Sequence, residues 1–300
     1  MRIIKKIILN AFIVSLLGLF SSKGSLGESK SNLLLPREAA LMQQYFFVAV
    51  EEGDRAVVEK IISDINVNEK NKQGLAALMI ASYNGDLIMV KLLIKRGAVI
   101  DEKDENGNTA LIHAAGKEGK AKVVKFLLEN GSNVNTENIH KETPLIVAVE
   151  NGRTEIVRLL LESGADADAK DVDGLTVLIH AVNDGFEEIV KLLMQWGVVI
   201  NETDKNGWTA LMYAAQMGFP QIVSLLLANG ADFTLRNNQD EAALDIAKNK
   251  NHNEVVKVIE DFIERKREER REVVSKAIEE ARPKVYPAIA QEIAEFEIGK

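Results

Sequence analysis

The sequence predicts an all-α solenoid, a row of short helix–turn–helix units with hairpin-like turns between them and a charged helical tail behind. Three observations predict it. Leucines recur at Leu78, Leu111, Leu145, Leu178, Leu211 and Leu244, at steps of 33, 34, 33, 33 and 33 residues. Glycines at Gly97, Gly131, Gly164, Gly197 and Gly230 keep the same step. Each period holds two short apolar runs that cannot bury their faces against each other alone, so each needs copies of itself on either side.

The stretch Asn206–Asn237 shows the unit most clearly. Asn206-Gly207 is a dipeptide that turns favour, because both residues tolerate positive φ. Thr209 can cap a helix whose inward side is Leu211, Met212, Ala214 and Ala215. Gly218 breaks that helix, and Pro220 stands where the next begins, where its missing N–H costs nothing. The second helix carries Ile222, Val223, Leu225, Leu226 and Leu227, and Gly230 ends it as a left-handed cap. The one extra residue in the series lies between Leu111 and Gly131, in the inter-helix turn Ala114–Gly119. An insertion there leaves both helix faces in register.

This pattern resembles the ankyrin repeat over roughly Met42 to Phe262. The family's T-P-L-H-x-A segment reads Thr109-Ala-Leu-Ile-His-Ala, Thr143-Pro-Leu-Ile-Val-Ala, Thr176-Val-Leu-Ile-His-Ala and Thr209-Ala-Leu-Met-Tyr-Ala. Pro144 alone among these keeps the proline, and an aliphatic residue or Met holds the family's histidine position. That substitution loses a side-chain hydrogen bond the family uses to tie repeats and adds apolar packing. About seven repeats are expected, at 41–72, 73–105, 106–139, 140–172, 173–205, 206–238 and 239–263.

Taken in order, Met1–Lys6 is positively charged, Ile7–Phe20 is apolar, and Ser21–Gly27 is small and polar. This is the layout of a secretory signal peptide over residues 1–27. Its apolar run makes about 21 Å of helix, short of a bilayer core of about 30 Å. Cleavage is expected after Ser22, Gly24 or Gly27, and an uncleaved anchor is the alternative. The protein is therefore expected to be exported, to the periplasm or beyond the cell. A lead follows over 28–40, in which Pro36 opens a helix through Ala39, Leu41, Met42, Tyr45, Phe46 and Ala49. With Val57, Val58, Ile61 and Ile62 this forms a degenerate first repeat. The seventh repeat, with Asn237–Asp240 in place of the turn glycine, reads as the C-terminal cap. The tail, 264–300, begins with the charge run Glu264–Glu272, whose opposite charges three and four apart suit a solvated helix. Beyond Pro283 and Pro287, apolar residues recur at helical spacing. That segment can fold back on the last repeat, pair with another chain in self-association, or bind a partner.

Composition narrows the chemistry. The formal net charge is −8, and without residues 1–27 the balance becomes 33 basic against 45 acidic residues. Such a chain is a poor general binder of nucleic acid or anionic lipid, so neither nucleic acid nor a membrane (the leader apart) is expected as a partner. The absence of cysteine excludes disulfides, thiolate catalysis and cysteine metal sites. His113 and His180 share a motif position two repeats apart, roughly 16–20 Å, too far to hold one zinc ion. They read as half-buried packing residues. The runs Glu102–Gly107 and Glu202–Gly207 resemble half a calcium loop, but His113 and Tyr213 stand where its last carboxylate is needed, and turn formation explains them. Asn201-Glu-Thr203 is a glycosylation sequon, relevant only in a eukaryotic secretory pathway. No phosphate loop, nucleophile elbow or catalytic cluster appears, so no catalytic residue, metal or cofactor is expected and the chain reads as a non-enzyme.

What remains is surface. The resemblance implies that turn tips and the exposed side of the first helices line a concave groove that binds a protein. Carried over by position, the turn sites are Leu75, Asn108, Glu142, Leu175 and Trp208. The helix-end sites are Tyr83, Lys117, Glu150, Asp184 and Met217. Aromatic and aliphatic side chains at such positions suit an interface, with Glu142, Glu150 and Asp184 giving an acidic rim that favours a basic or mixed partner surface. For Trp208 the other reading is that it packs on a neighbouring hairpin. The function expected is that of a non-catalytic scaffold for a partner protein outside the cytoplasm. The alternatives are a periplasmic accessory of a haem-dependent, peroxide-removing enzyme, which the resemblance permits, and an oligomer or enzyme subunit acting through the tail.

Overall fold

The computed structural model describes residues 36–298, with side chains over 38–278, so the expected signal peptide lies outside the described residues. Among the described residues the chain forms fourteen helices and no strand; extended pairing is limited to the isolated bridges Lys70–Ala76, Lys170–Thr176 and Thr203–Thr209. It divides into two compact units, at Asn66 and Val67. No described helix is long and apolar enough to cross a membrane.

The first unit holds α1 (Pro36–Glu52) and α2 (Arg55–Ile61), packed on each other. Pro36 starts α1, where its fixed φ suits the first turn. Gly53 takes φ 71° to reverse the chain, and the Asp54 carboxylate accepts the Val57 N–H to cap α2. Phe46, Val50, Val58 and Ile61 are buried, and the Gln43 amide donates to the Asn66 carbonyl at 2.9 Å.

The second unit contains six helix pairs. They are α3 (Ala77–Asn84) and α4 (Leu87–Lys95), α5 (Ala110–Ala115) and α6 (Ala121–Glu129), and α7 (Pro144–Glu150) and α8 (Thr154–Glu162). Then follow α9 (Val177–Asn183) and α10 (Glu187–Gln195), α11 (Ala210–Met217) and α12 (Pro220–Ala228), and α13 (Ala243–Asn249) and α14 (Asn253–Ile298). Odd-numbered helices pack on the next odd-numbered helix, and even-numbered on even, giving two layers. The odd layer closes through fully buried alanines at 114, 115, 148, 181, 214 and 215, whose small side chains let backbones approach. The even layer supplies bulk, with Val124, Leu127, Val157, Leu160, Val190, Leu193, Val223 and Leu226 buried completely.

The threonines cap as expected. Thr109, Thr143, Thr176 and Thr209 each accept the N–H three residues on, leaving one orphan donor fewer at the helix start. Where Ala242 replaces Thr, Asp245 reaches back to the Ala242 N–H at 3.0 Å. The extra residue of the third pair sits in the turn after α5, where Gly116 ends the helix and Gly119 takes φ 70°. Among the described residues three other than glycine adopt positive φ: Lys141, Asp240 and Asn251. Lys141 and Asp240 stand in the turn position that Gly107, Gly174 and Gly207 hold elsewhere, and Asn251 stands where Gly185 and Gly218 do. The register imposes the left-handed conformation even where the glycine is lost.

The tail is helical, as its charge spacing suggests. It neither folds back nor starts a new helix: α14 runs 46 residues, about 69 Å, and carries the second helix of the last pair onward through Pro283 and Pro287. Val255 and Ile259 are buried where α14 packs on α12 and α13, whereas every residue from Glu264 to Ile278 is exposed. The boundary near 263 therefore marks a change of environment with no break in the helix.

Candidate protein-binding surface

Every hairpin turn of the second unit is built on one Asn or Asp: Asn71, Asp104, Asn138, Asp171, Asp204 and Asn237. In each, the Oδ1 oxygen accepts two backbone N–H groups, two and four residues on, at 2.8 to 3.0 Å. The second N–H belongs to Leu75, Asn108, Glu142, Leu175, Trp208 or Glu241. The candidate turn positions are thus aimed by a carboxylate or amide four residues earlier. Successive turns are also laced together by backbone bonds, from Ile139 to Asn106, Val172 to His140, Lys205 to Asp173 and Asn238 to Asn206, at 2.8 to 3.2 Å.

The other atom of the same side chain dictates a residue nine positions on. Where the turn carries Asp, its Oδ2 meets a donor: His113 Nε2 at 2.9 Å from Asp104, His180 Nε2 at 3.1 Å from Asp171, and Tyr213 Oη at 3.0 Å from Asp204. Where it carries Asn, the corresponding residue is aliphatic: Ile80, Val147 and Ile246. The reason is chemical. A half-buried carboxylate needs hydrogen for its second oxygen, whereas an amide presents its own donor. The Asn138 and Asn237 amides donate to Glu142 and Glu241 at 2.6 and 3.3 Å. His113 and His180 are therefore half-buried as expected, but they are tied to the turn acids and are more than packing residues. The calcium-like run has the same explanation, since both Asp104 oxygens are taken up by its own turn and His113.

A second ladder of side-chain bonds ties successive repeats together. Asn68, Asn135 and Asn201 each accept an N–H from the following repeat and donate to the carbonyl of Gly97, Gly164 or Gly230. Asp101 and Asp168 stand at the same register and accept from Asn133 and Val199. The Asn201 amide of the sequon is therefore a structural tie.

Five candidate residues come together. Tyr83, Asn108, Lys117, Glu142 and Glu150 line one open groove of about 410 Å³ along the odd-numbered helices and their turns. The Lys117 ammonium lies 4.5 Å over the Tyr83 ring, whose edge contact with His113 is 6.5 Å between centroids. Asn138 joins Asn108 to Glu142 across adjacent turns, at 3.0 and 2.6 Å. Tyr83 remains 46% exposed even so, which leaves part of its ring to a partner.

Glu150 has the most perturbed carboxyl in the groove. Its pKa is pushed up to about 7, first by burial and then by Glu142, Asp171 and Asp184. Its Oε1 lies 3.3 Å from His180 Nδ1, while His180 Nε2 faces Asp171. In a neutral imidazole one nitrogen donates and the other accepts. If Nε2–H is donated to Asp171, Nδ1 is an acceptor that suits the protonated form of Glu150.

The other five candidates do not join this groove. Leu75, Leu175 and Trp208 are half-buried, short of the open exposure expected of them. The indole of Trp208 meets the ring of Tyr213 of its own repeat, 5.3 Å between centroids. Burial and the bond to Asp204 hold the Tyr213 hydroxyl far above its ordinary pKa. Met217 is 42% exposed at the end of α11, and Asp184 is exposed at the end of α9.

The fold and this repeated surface define a class, and the family model for ankyrin repeats matches the chain at residues 46–138, 136–204 and 197–266. The chain belongs to the ankyrin-repeat family, whose repeats generally mediate protein–protein interaction. The ankyrin-repeat domain of Bcl-3, described as a member of the IkappaB family, superimposes with a TM-score of 0.65 at 28% identity, covering 72% of this chain and 97% of that one. A putative ankyrin repeat protein of fowlpox virus is 41% identical over 32% of this chain and 28% of its own length. Mouse protein phosphatase 1 regulatory subunit 27 is 33% identical over 33% of this chain and 65% of its own. For human M-phase phosphoprotein 8 the match is 35% over 23% of this chain and 8% of that protein. The chain thus spans less than two thirds of these curated relatives.

Proposed function

We propose that this chain is a non-catalytic scaffold of seven ankyrin repeats, one per helix pair, that binds a partner protein through the turn tips and odd-numbered helices after export from the cytoplasm. The observation that carries this reading is the groove in which Tyr83, Asn108, Lys117, Glu142 and Glu150 converge. An exposed aromatic ring in a polar, partly desolvated groove is the usual anchor of an interface. Glu142 in the groove and Asp184 beyond it favour a partner with basic or mixed charge, and the Glu150 carboxyl adds to them once ionised. Export rests on the three-part layout of residues 1–27, and mass spectrometry of the N-terminus in fractionated cells tests it. Binding is tested by affinity capture with residues 28–300 against a Tyr83→Ala/Lys117→Glu variant of unchanged melting temperature. Loss of the captured protein in the variant is the expected result. Undiminished capture by the variant would move the binding surface elsewhere.

A further inference from the structure

Where α14 leaves the body of the repeats, a cleft of about 900 Å³ opens between it and the end of α12, with Leu227, Phe233 and Phe262 on its floor and Arg265, Lys266 and Arg270 on its wall. Phe233 and Phe262 meet edge to face at 5.9 Å, and the Arg265 guanidinium lies 5.7 Å over the Phe262 ring. We propose that this cleft, separate from the groove at Tyr83, binds an acidic peptide segment of a partner protein, with an apolar side chain on the two phenylalanines and carboxylates on Arg265 and Arg270.

The charges around the cleft are unequal in a way that leaves these two cations available. The acids on the wall are already engaged: Asp232 accepts from the Thr234 N–H and hydroxyl at 2.8 and 2.6 Å, and Glu269 pairs with Lys266 at 2.8 Å. Glu264 holds Arg267 at 3.3 Å and Arg271 at 3.8 Å. Arg265 and Arg270 have no ion-pair partner among the described residues. They stand five residues apart on α14, about 7.5 Å of rise and about 140° of turn, so their long side chains reach the same cleft from different sides of the helix. An acidic peptide lying in the cleft can therefore give a carboxylate to each guanidinium and an apolar side chain to the two rings. An isolated strand of phosphates fits less well, because Glu264, Glu268, Glu269 and Glu272 interrupt the basic run on a chain of net charge −8. The apolar floor would also go unused.

Fluorescence anisotropy with the full chain tests this, using labelled Asp-Glu-Phe-Glu-Asp and its neutral analogue Asn-Gln-Phe-Gln-Asn. The acidic peptide should bind, weaken as salt rises from about 50 to about 500 mM, and lose about tenfold or more in affinity against Arg265→Glu/Arg270→Glu. The neutral analogue should bind about tenfold more weakly than the acidic one. Both arginines are solvated, so the variant should keep its melting temperature, and Phe262→Ala supplies an independent loss through the floor. Equal binding of the two peptides, or of wild type and the double variant, overturns the proposal. So does tighter binding of phosphatidylserine vesicles or of a thymidine oligonucleotide than of the acidic peptide. A Tyr83→Ala/Lys117→Glu variant should bind the peptide as wild type does, so failure here and failure of the groove reading are told apart.

Discussion

Replacing Asp204 tests the rule that pairs each turn acid with a donor nine residues on. Asp204 is 8% exposed and its carboxylate accepts four hydrogen bonds, from the Asn206 N–H at 2.9 Å, the Trp208 N–H at 2.8 Å, the Tyr213 hydroxyl at 3.0 Å and, at 3.4 Å, the Asn206 amide. Bonds to a charged group contribute about 1.5–3 kcal/mol each, less where water can take the place of the acceptor. Asn206 is exposed, so its N–H finds water at little cost, whereas Trp208 and Tyr213 are half-buried. Asp204→Ala should therefore cost about 3–4 kcal/mol. Asp204→Asn keeps the Oδ1 acceptor and should cost only about 1 kcal/mol. Tyr213→Ile alone leaves the second carboxylate oxygen only the long 3.4 Å bond from the Asn206 amide and should cost about 2 kcal/mol. The decisive variant is Asp204→Asn/Tyr213→Ile, which copies the Asn71–Ile80 and Asn237–Ile246 arrangement of the same chain. Its cost should fall below the sum of the single changes by about 1–2 kcal/mol. Urea unfolding followed by both circular dichroism and Trp fluorescence reads this, two probes being needed because repeat arrays can lose cooperativity. Strict additivity of the two changes would refute the pairing argument.

Further outcomes follow from the same structure. Glu150 has a folded pKa of about 7, raised above its ordinary value of 4.5. Between those values the folded state binds the extra proton, so stability contributed by Glu150 is full below about 4.5 and is lost as pH rises through about 7. Glu150→Gln should then raise the melting temperature at pH 8 more than at pH 5, and a uniform shift would count against the assignment. Gly207→Ala places a Cβ 2.8 Å from the Asn238 side chain at φ 76°, and should cost about 2 kcal/mol in chemical denaturation. Lys141→Gly relieves a positive φ of 59° at the equivalent turn and should stabilise by up to about 1 kcal/mol. Thr176→Ala removes a buried N-cap and should lower stability by about 1 kcal/mol. Val273, Val274 and Ile278 are 68%, 57% and 61% exposed on α14. Light scattering of the full chain beside a triple Glu variant at these positions reads whether they join two copies, which would appear as a mass above 33.1 kDa lost in the variant.

The sequence by itself determined the repeated architecture, the helix pairs, their caps and the turn that absorbs the extra residue. These depend on contacts within one period or between identical neighbours, so a periodic leucine or glycine reports them directly. The turn acids and their partners were also written there, as Asp with His or Tyr and Asn with Ile or Val nine positions on. That spacing matches neither a helical nor a strand period, so hydrophobic patterning passes over it, and His113 and His180 read as packing. Tertiary structure alone decided which candidates share a surface. Tyr83, Lys117, Asn108, Glu142 and Glu150 belong to three successive repeats, and only stacking brings them to one groove. Trp208 was drawn away by Tyr213, a choice of rotamer and neighbour that spacing does not specify. The raised pKa of Glu150 needs Glu142, Asp171 and Asp184 assembled around a partly dry site, and their separations along the chain carry no trace of that field. The tail is the remaining case. The charge run read as a solvated helix, but its continuity with the last repeat was not legible: the buried turns at Val255 and Ile259 anchor a helix that propagates beyond its packing, since each further residue adds one bond to a nucleus already formed.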